Sequence, residues 1–341
     1  MSNIFKVIFV IIGSIIGAGF ASGKEIYIFF GQHGVYGFIG AIISALIISV
    51  IIYKVFEILR VNNIENYHEF LKIIGINKNI NILDPFINVL LCVSFYIMVS
   101  GFSAYVNQQF GINNIISSII FSSICFIVFS NNINGITKTS IILVPILIIS
   151  IIILGYKCNE WNTVLSETNY GFWIIDSIIY ASYNSVLLVP VLITMKHYIR
   201  VKKYNFIISI FSMIILICLT FSVLISLNKI NILIDELEMP MVYVVTLIGN
   251  KYQYLYGAII GISIFTSAIS AGYSFLKNMT KNKKSYTQLS VFMCISSCII
   301  SSISFSGLIK ALYPLFGIIG IGQILLILFY KKNYKAIEKK R

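Results

Sequence analysis

Apolar runs, each about long enough to cross a lipid bilayer, occupy most of this 341-residue sequence. A hydrocarbon core about 30 Å thick requires roughly 20 apolar residues in helical form. With 58% apolar and 11% charged residues, the composition excludes a soluble globular chain and a disordered one. The pattern predicts an all-α integral membrane protein of about ten transmembrane helices. The predicted spans are residues 4–30, 34–59, 84–109, 114–130, 138–156, 172–197, 204–228, 252–276, 286–305 and 308–330, with a brief turn near Gly307 before the last.

Basic residues are distributed unevenly between the segments that join these spans. A net charge of +13 would suggest nucleic-acid binding in a soluble protein. Here most of the 25 Lys and Arg residues lie in alternate connecting segments, as they do on the cytoplasmic side of membrane proteins. We therefore expect a multi-pass protein of the cell membrane, with both termini and a basic tail (331–341) in the cytoplasm and no nucleic-acid partner. The first run is too long for a signal-peptide core, so it is predicted to be retained.

Two connecting segments are long enough for local structure. Residues 66–72 have the pattern of a short interfacial helix, and residues 229–250 carry Asp235, Glu236 and Glu238 before a Met-Pro pair. Both segments could equally be simple connectors. Of the six cysteines only Cys158 falls in a predicted loop, and their spacing suggests no disulfide framework, zinc site or redox motif.

Two of the predicted spans contain helix-breaking sequences at membrane depth. Span one carries Gly13, Gly17, Gly19 and Gly23, and span six has a polar cluster (180–185) followed by Pro190. Irregular backbone inside a membrane is tolerated only where protein or a water-filled cavity satisfies it, and paired breaks of this kind indicate a transporter binding site. The sequence thus predicts discontinuous helices 1 and 6. The alternatives are close helix packing for the glycines and an interhelical hydrogen bond for Asn184.

The two breaks are related by a constant offset along the chain. Gly17 and the Asn184–Ser185 pair are about 168 residues apart, and Pro145 and Pro314 are about 169 apart. Each half contains five spans, and an odd number of spans makes the second half enter from the opposite side. We expect a single transporter domain (1–341) built from inverted repeats at 4–156 and 172–330.

A broken helix exposes carbonyl groups at one end and N–H groups at the other, which favour a cation and an anion respectively. A small zwitterion such as an amino acid suits both ends. The predicted substrate site comprises Gly17, Ala18, Gly19, Phe20, Ser22, Tyr180, Ser182, Tyr183 and Asn184.

Span eight carries four hydroxyl residues, Ser263, Thr266, Ser267 and Ser270, on one helix face. Hydroxyl and carbonyl oxygens are hard ligands suited to a cation such as sodium. The alternative is that these hydroxyls bond back to the preceding helical turn.

Three ionisable residues, Lys24, Glu25 and Asp176, fall within the predicted spans, where such residues are costly and usually functional. Lys24 and Asp176 enter from the same side and could pair as an outer gate. Lys24 and Glu25 could instead form an interfacial pair, and Glu25 or Asp176 could carry a coupling proton. Histidines lie only at span ends or in a loop, which gives little support to a histidine proton relay.

Residues 13–25 (GSIIGAGFASGKE), followed by Phe29, Phe30 and Gly31, resemble the YkvI-like family of bacterial membrane proteins. The motif Tyr313-Pro314-Leu315-Phe316-Gly317 is similar to the same family, and the resemblance runs along the whole chain. This family resembles a branch of the amino acid–polyamine–organocation superfamily, whose members share the LeuT fold of five-plus-five inverted spans.

The resemblance implies an amino-acid permease with a sodium site between span one and span eight. Gly13, Ile16, Thr266 and Ser267 match the sodium positions of sodium-coupled members, with Ser263 at the remaining carbonyl. Lys24 matches the basic member of an outer gate, but span ten lacks the acid that completes it. The absence of a lysine in the middle of span five favours sodium over proton coupling.

These observations predict a secondary transporter of a small amino acid or related zwitterion, embedded in the lipid bilayer and coupled to a cation, with sodium favoured. A membrane ligand sensor on the same scaffold, such as a spore-germinant receptor subunit, is the alternative. An enzyme is disfavoured because no cluster of His, Cys, Asp or Glu is evident, and no repeated filter sequence indicates a channel.

Overall fold

Helices make up nearly all of the described part of the protein, which is a computed structural model covering residues 3–62, 64–75, 80–130, 133–159, 171–198, 201–228, 234, 237–280 and 282–330. Short 3₁₀ turns follow α3 and α9. The helices are α1 (Asn3–Ile15), α2 (Ala18–Ala21), α3 (Lys24–Phe29), α4 (Val35–Val61), α5 (Tyr67–Ile73), α6 (Ile80–Phe110), α7 (Asn114–Ser130), α8 (Ile133–Asn159), α9 (Trp173–Thr194), α10 (Lys202–Leu227), α11 (Pro240–Ile248), α12 (Asn250–Met279), α13 (Lys283–Ile300) and α14 (Phe305–Phe329).

Each predicted span coincides with a helix, and span one coincides with the three short helices α1 to α3. Among the described residues, six helices are long and apolar enough to cross a membrane, and three shorter ones are also apolar. The six are Val35–Val61, Pro85–Phe110, Trp173–Thr194, Lys202–Leu227, Tyr252–Met279 and Phe305–Phe329. An all-helical, multi-pass membrane fold is therefore confirmed. The count of ten spans and the inverted repeat stay predictions.

Apolar side chains cover the outside of the helix bundle as well as its interior. Ile127 on α7 and Ile299 on α13 are 62% and 74% exposed, whereas Val7, Val10 and Ile11 of α1 are fully buried. Lipid chains are as apolar as these outer side chains, so their exposure in a bilayer carries no penalty. Helix α1 therefore lies inside the bundle, where it packs against α8, α9, α10 and α12.

Helix α9 is continuous from Trp173 to Thr194, so the predicted break in helix 6 is wrong. The Asn184 side chain donates to the Tyr180 carbonyl at 3.1 Å, and the Ser185 hydroxyl donates to the carbonyl one turn earlier at 2.6 Å. These polar groups are thus satisfied within their own helix. Pro190 removes one backbone donor near the end of α9, while packing against α4 and α14 holds the helix in one piece.

Several local expectations are corrected or completed by the structure. The turn before the last helix occupies residues 301–304, because Ser304 caps α14 by accepting from the Gly307 N–H. Cys158 lies buried in the last turn of α8 rather than in a loop. The predicted helix around 66–72 forms as α5, capped by Asn66. Asp235, Glu236 and the predicted tail at 331–341 lie outside the described residues.

Candidate functional site

The first span is interrupted where its glycines predicted a break. Helix α1 ends at Ile15, Gly17 is extended (φ −99°, ψ −165°), and a new helix begins at Ala18. A second interruption follows at Gly23, whose φ of +78° is favourable only for glycine. The backbone around Gly17 therefore leaves carbonyl groups at the end of α1 without partners inside that helix.

Hydroxyl groups on α12 meet these carbonyls. Ser267 donates to the Gly13 and Ile16 carbonyls, both at 2.9 Å, and Ser263 donates to the Ile16 and Gly17 carbonyls at 2.8 and 3.0 Å. A Cβ atom added at Gly13 would lie 3.6 Å from the Thr266 hydroxyl, although that hydroxyl donates to the Ser263 carbonyl. The five residues of the predicted sodium site are therefore brought together at the break.

A small cavity adjoins the break, with a volume of about 20 Å³. That is close to the space that one water molecule needs. Its walls come from α1, α3, α6, α9, α12 and α14 and the Gly17 linker. They include three predicted substrate residues, Gly17, Tyr183 and Asn184, together with Glu25 and Ser267. In this conformation the cavity is nearly closed.

The other predicted substrate residues lie around this cavity without lining it. Ser182 is buried and donates to the Gly317 carbonyl on α14 at 2.6 Å, so it joins two helices. Ser22 donates to the Gly19 carbonyl, and Phe20 is fully buried in the core. The Ala18 N–H points at the Met98 sulfur, 3.2 Å away.

Met98 and Tyr313 are among the cavity residues that the predicted site does not include. A Cβ atom added at Gly17 would lie 2.8 Å from the Met98 methyl group, so this methionine packs directly on the break. No local signal marks Met98 in the sequence, because it comes from an ordinary apolar run. Tyr313 belongs to the Tyr-Pro motif near the end of the chain, and that motif could have pointed to it.

Glu25 occupies the most unusual position at the site. It is only 1% exposed, lines the cavity and accepts a hydrogen bond from the Tyr183 hydroxyl. The Tyr183 ring stacks on Tyr313 and on Phe29, with ring centres 4.8 and 5.7 Å apart. A carboxyl group is thus enclosed by aromatic side chains beside the helix break.

The described residues just before α11, together with the first residues of α11, contact the chain on the C-terminal side of the break. The Lys24 ammonium group is fully buried and donates to the Ile234 and Leu237 carbonyls at 3.0 and 2.9 Å. The Met241 N–H donates to the Ser22 carbonyl at 2.9 Å. Tyr256 of α12 also donates, through its hydroxyl, to the backbone of α2.

Lys24 and Asp176 do not pair with each other. Asp176 accepts from Gln32 at 3.4 Å and lies 2.8 Å from the His33 ring nitrogen Nε2, beside the turn that follows α3. The two residues diverge because the turns around Gly23 direct Lys24 toward the segment before α11, whereas α9 begins next to Gln32 and His33. Glu25 also has no ion pair with Lys24 among the described residues.

Comparisons with known proteins agree with this architecture. The chain is 28% identical over 330 residues to the Uncharacterized membrane protein YkvI of Bacillus subtilis (strain 168), covering 93% of this chain and 92% of that protein. No protein-family model matches the chain. Its structure superimposes on that of a Na⁺-coupled sialic acid symporter in a substrate-bound, outward-open state, with a TM-score of 0.63 and 12% sequence identity, covering 97% of this chain and 79% of the symporter.

The predicted resemblance is thereby confirmed in both sequence and fold. Similarity to YkvI extends over nearly the whole of both chains, while the structural likeness at low identity concerns the fold alone. The chain is thus similar to YkvI over nearly its whole length, and its structure has the LeuT-like fold of the Na⁺-coupled symporter.

Proposed function

We propose that this protein is a secondary active transporter that moves a small amino acid or related zwitterion by alternating access, with sodium as the coupling ion. The observation that carries the proposal is the break in span one. There, main-chain carbonyls face the α12 hydroxyls beside a buried cavity. Irregular backbone of this kind within a membrane is typical of a site that binds a transported substrate.

The fold supports the interpretation that this break serves transport. The structural relative is a Na⁺-coupled symporter, and its similarity extends over 97% of this chain. Enzymes and channels need features of their own, such as a nucleophile, a metal cluster or a selectivity filter, and the sequence predicts none of them. A sensor that binds the same ligand without moving it stays the second candidate, because nothing in the scaffold itself distinguishes binding from flux.

A sodium ion fits the oxygens at the break. The Gly13, Ile16 and Ser263 carbonyls and the Thr266 and Ser267 hydroxyls would hold it, since all are neutral, hard oxygen ligands. The Ser267 hydroxyl now donates to the Gly13 and Ile16 carbonyls, and it would turn its lone pairs toward a bound cation instead. Ion binding would then favour one conformation of the break over another, which is the differential affinity that coupled transport requires.

Closure on one side and opening on the other complete the proposal. With both termini in the cytoplasm of a cell-membrane protein, the segment bonded by Lys24 would lie on the outer side. We assign to Lys24 the role of a latch that holds the outer side shut. It acts through backbone carbonyls rather than through an acidic partner on α14.

A thermal-stability screen of the purified protein tests this function. We expect one or more of the twenty standard L-amino acids to raise the melting temperature, and the rise to be larger in sodium chloride than in choline chloride. Ser267→Ala should remove the sodium dependence, because it deletes a hydroxyl that meets two of the carbonyls. Ser297→Ala is the matched control, since that buried hydroxyl bonds only within α13.

Two outcomes contradict the proposal. Stabilisation that is equal in sodium and choline removes the sodium site while leaving the substrate site in place. Binding without uptake into proteoliposomes, under an imposed sodium gradient, favours the sensor over the transporter.

A further inference from the structure

Glu25 carries an inference that deepens the proposed function and rests on it. We propose that Glu25 and the surrounding tyrosines bind the cationic end of the substrate, so that the transported compounds are those bearing a protonated primary amine. The inference concerns which chemical group of the substrate the protein recognises and which residues recognise it.

The first observation is the state of the carboxyl group. One oxygen, Oε1, accepts from the Tyr183 hydroxyl, and the carboxyl group lines the cavity. No basic side chain forms an ion pair with Glu25 among the described residues. An ionised carboxylate that is buried without a counter-ion is strongly unfavourable. A positive charge bound beside Glu25 would stabilise the ionised form of its carboxyl group.

The second observation is the polar and aromatic surroundings of the group. Tyr180 is only 4% exposed, and its buried hydroxyl adjoins Glu25. The Tyr180 ring meets the rings of Phe29 and Tyr183 edge-on, with centres 5.5 Å apart in both cases. Hydroxyl oxygens accept from an ammonium group, and aromatic faces attract cations. The site thus offers three kinds of contact that favour a positive charge.

The third observation is the size and position of the space. The cavity bounded by Glu25, Tyr183 and Tyr313 has a volume of about 20 Å³. This suits a water-sized group such as a primary ammonium and is too small for a quaternary one. A Cβ atom added at Gly19 would lie 2.5 Å from Oε2 of Glu25, so the missing side chain at this position makes room for the carboxylate.

The fourth observation concerns the other groups that could accept a hydrogen bond from an amine. The carbonyls at the end of α1 would otherwise be the natural partners of an ammonium group. Those of Gly13 and Ile16 accept from Ser267 and belong to the proposed sodium site, and that of Gly17 accepts from Ser263. With these carbonyls engaged, Glu25 is the remaining acceptor that lines the cavity and carries charge.

Paired ligands test the inference. The probes are the twenty L-amino acids and, for each one that stabilises the wild-type protein, the 2-hydroxy acid in which a hydroxyl replaces the ammonium group. We expect the wild-type protein to bind the amino acid at least tenfold more tightly than its hydroxy counterpart. In Glu25→Gln the amino acid should bind at least tenfold more weakly, and the preference over the hydroxy acid should disappear. Glu57→Gln is the matched control, because this carboxylate pairs with Arg60 on α4 and lies outside the cavity.

Each result has a distinct meaning. If Glu25→Gln binds the amino acid as the wild type does, or keeps the full preference over the hydroxy acid, the inference is overturned while the proposed function stands. A protein that binds and transports no member of the panel overturns both. If Glu25→Gln does not elute as a monodisperse species, Tyr183→Phe gives the same comparison, since it removes the hydroxyl bonded to Glu25 and keeps the ring. Unchanged preference in Tyr183→Phe then counts against the inference.

Discussion

At the scale of single residues, the break in span one depends on positions that tolerate no side chain. Gly17 faces Met98, with 2.8 Å between its virtual Cβ and the Met98 methyl group, and Gly23 adopts a left-handed backbone against Met241 and Leu227. At Gly17 a side chain is excluded by the close approach of Met98. At Gly23 it is excluded both by close contacts and by the left-handed backbone conformation. The sequence predicted the break at Gly17 and counted Gly23 among the glycines that weaken the helix, but only the structure shows what lies against them.

Gly17→Val tests the importance of this close approach. The added side chain must displace Met98 and enter the cavity, so we expect uptake to fall by about tenfold or more, with overpacking that costs about 1–3 kcal/mol. Gly261→Val on α12 is the matched control, because a Cβ atom there would meet nothing within 4 Å. Amino-acid uptake into proteoliposomes measures the effect, and equal activity in both variants would separate Gly17 from the binding site.

At the scale of elements, side chains that reach between helices determine the arrangement of the site. Helix α12 supplies the hydroxyls that satisfy the broken end of α1, and the segment before α11 supplies the carbonyls that accept from Lys24. Polar residues in α9 divide between two tasks, since Ser182 joins α14 while Asn184 bonds within its own helix and lines the cavity. The polar cluster in span six is thus compatible with a continuous helix.

The proposed latch role of Lys24 can be tested by the rate at which cysteines placed in α11 react with a maleimide. Lys24→Met keeps the length of the side chain and removes hydrogen bonds to two carbonyls, each charge-assisted bond being worth about 1.5–3 kcal/mol. In a background without the native cysteines, a cysteine replacing buried Met241 should react with a membrane-impermeant maleimide about tenfold faster when Lys24 is replaced. A cysteine replacing Leu247, which is 43% exposed on the same helix, is the reference and should react equally fast in both backgrounds. An unchanged rate at position 241 would refute the latch.

At the scale of the whole molecule, the bundle has an apolar outside and a polar, broken helix at its centre. A structural likeness with a TM-score of 0.63 at 12% identity shows that the fold does not depend on particular core residues. Because lipid provides no hydrophobic force between helices, packing and buried polar contacts position the helices inside the bundle.

The orientation of the molecule gives a prediction at this scale. We expect a cysteine replacing Leu247 to react with an impermeant maleimide in intact cells, and a cysteine replacing Glu65, before α5, to react only after permeabilisation. The excess of Lys and Arg in alternate connecting segments is the physical reason. A green fluorescent protein fused to the C-terminus should be fluorescent in the cytoplasm. The reverse labelling pattern would invert the topology and place the Lys24 latch on the cytoplasmic side.

The sequence by itself determined the membrane setting, the helical class and the interrupted first span. These follow from local chemistry, because a run of apolar residues needs lipid around it and a series of glycines weakens a helix wherever it occurs. The hydroxyls of span eight were identifiable for the same reason, since helical spacing alone places them on one face.

The tertiary structure decided which of several local options each polar residue took. The Asn184 side chain forms a hydrogen bond within its own helix, Ser182 bonds to α14, and Asp176 contacts His33 rather than Lys24. Only the structure brought Glu25, Met98 and Tyr313 to one cavity, from three helices far apart in the chain. A polar group in lipid must find a partner, and that requirement can be read from the sequence. Which partner it finds depends on distances that exist only once the helices have packed.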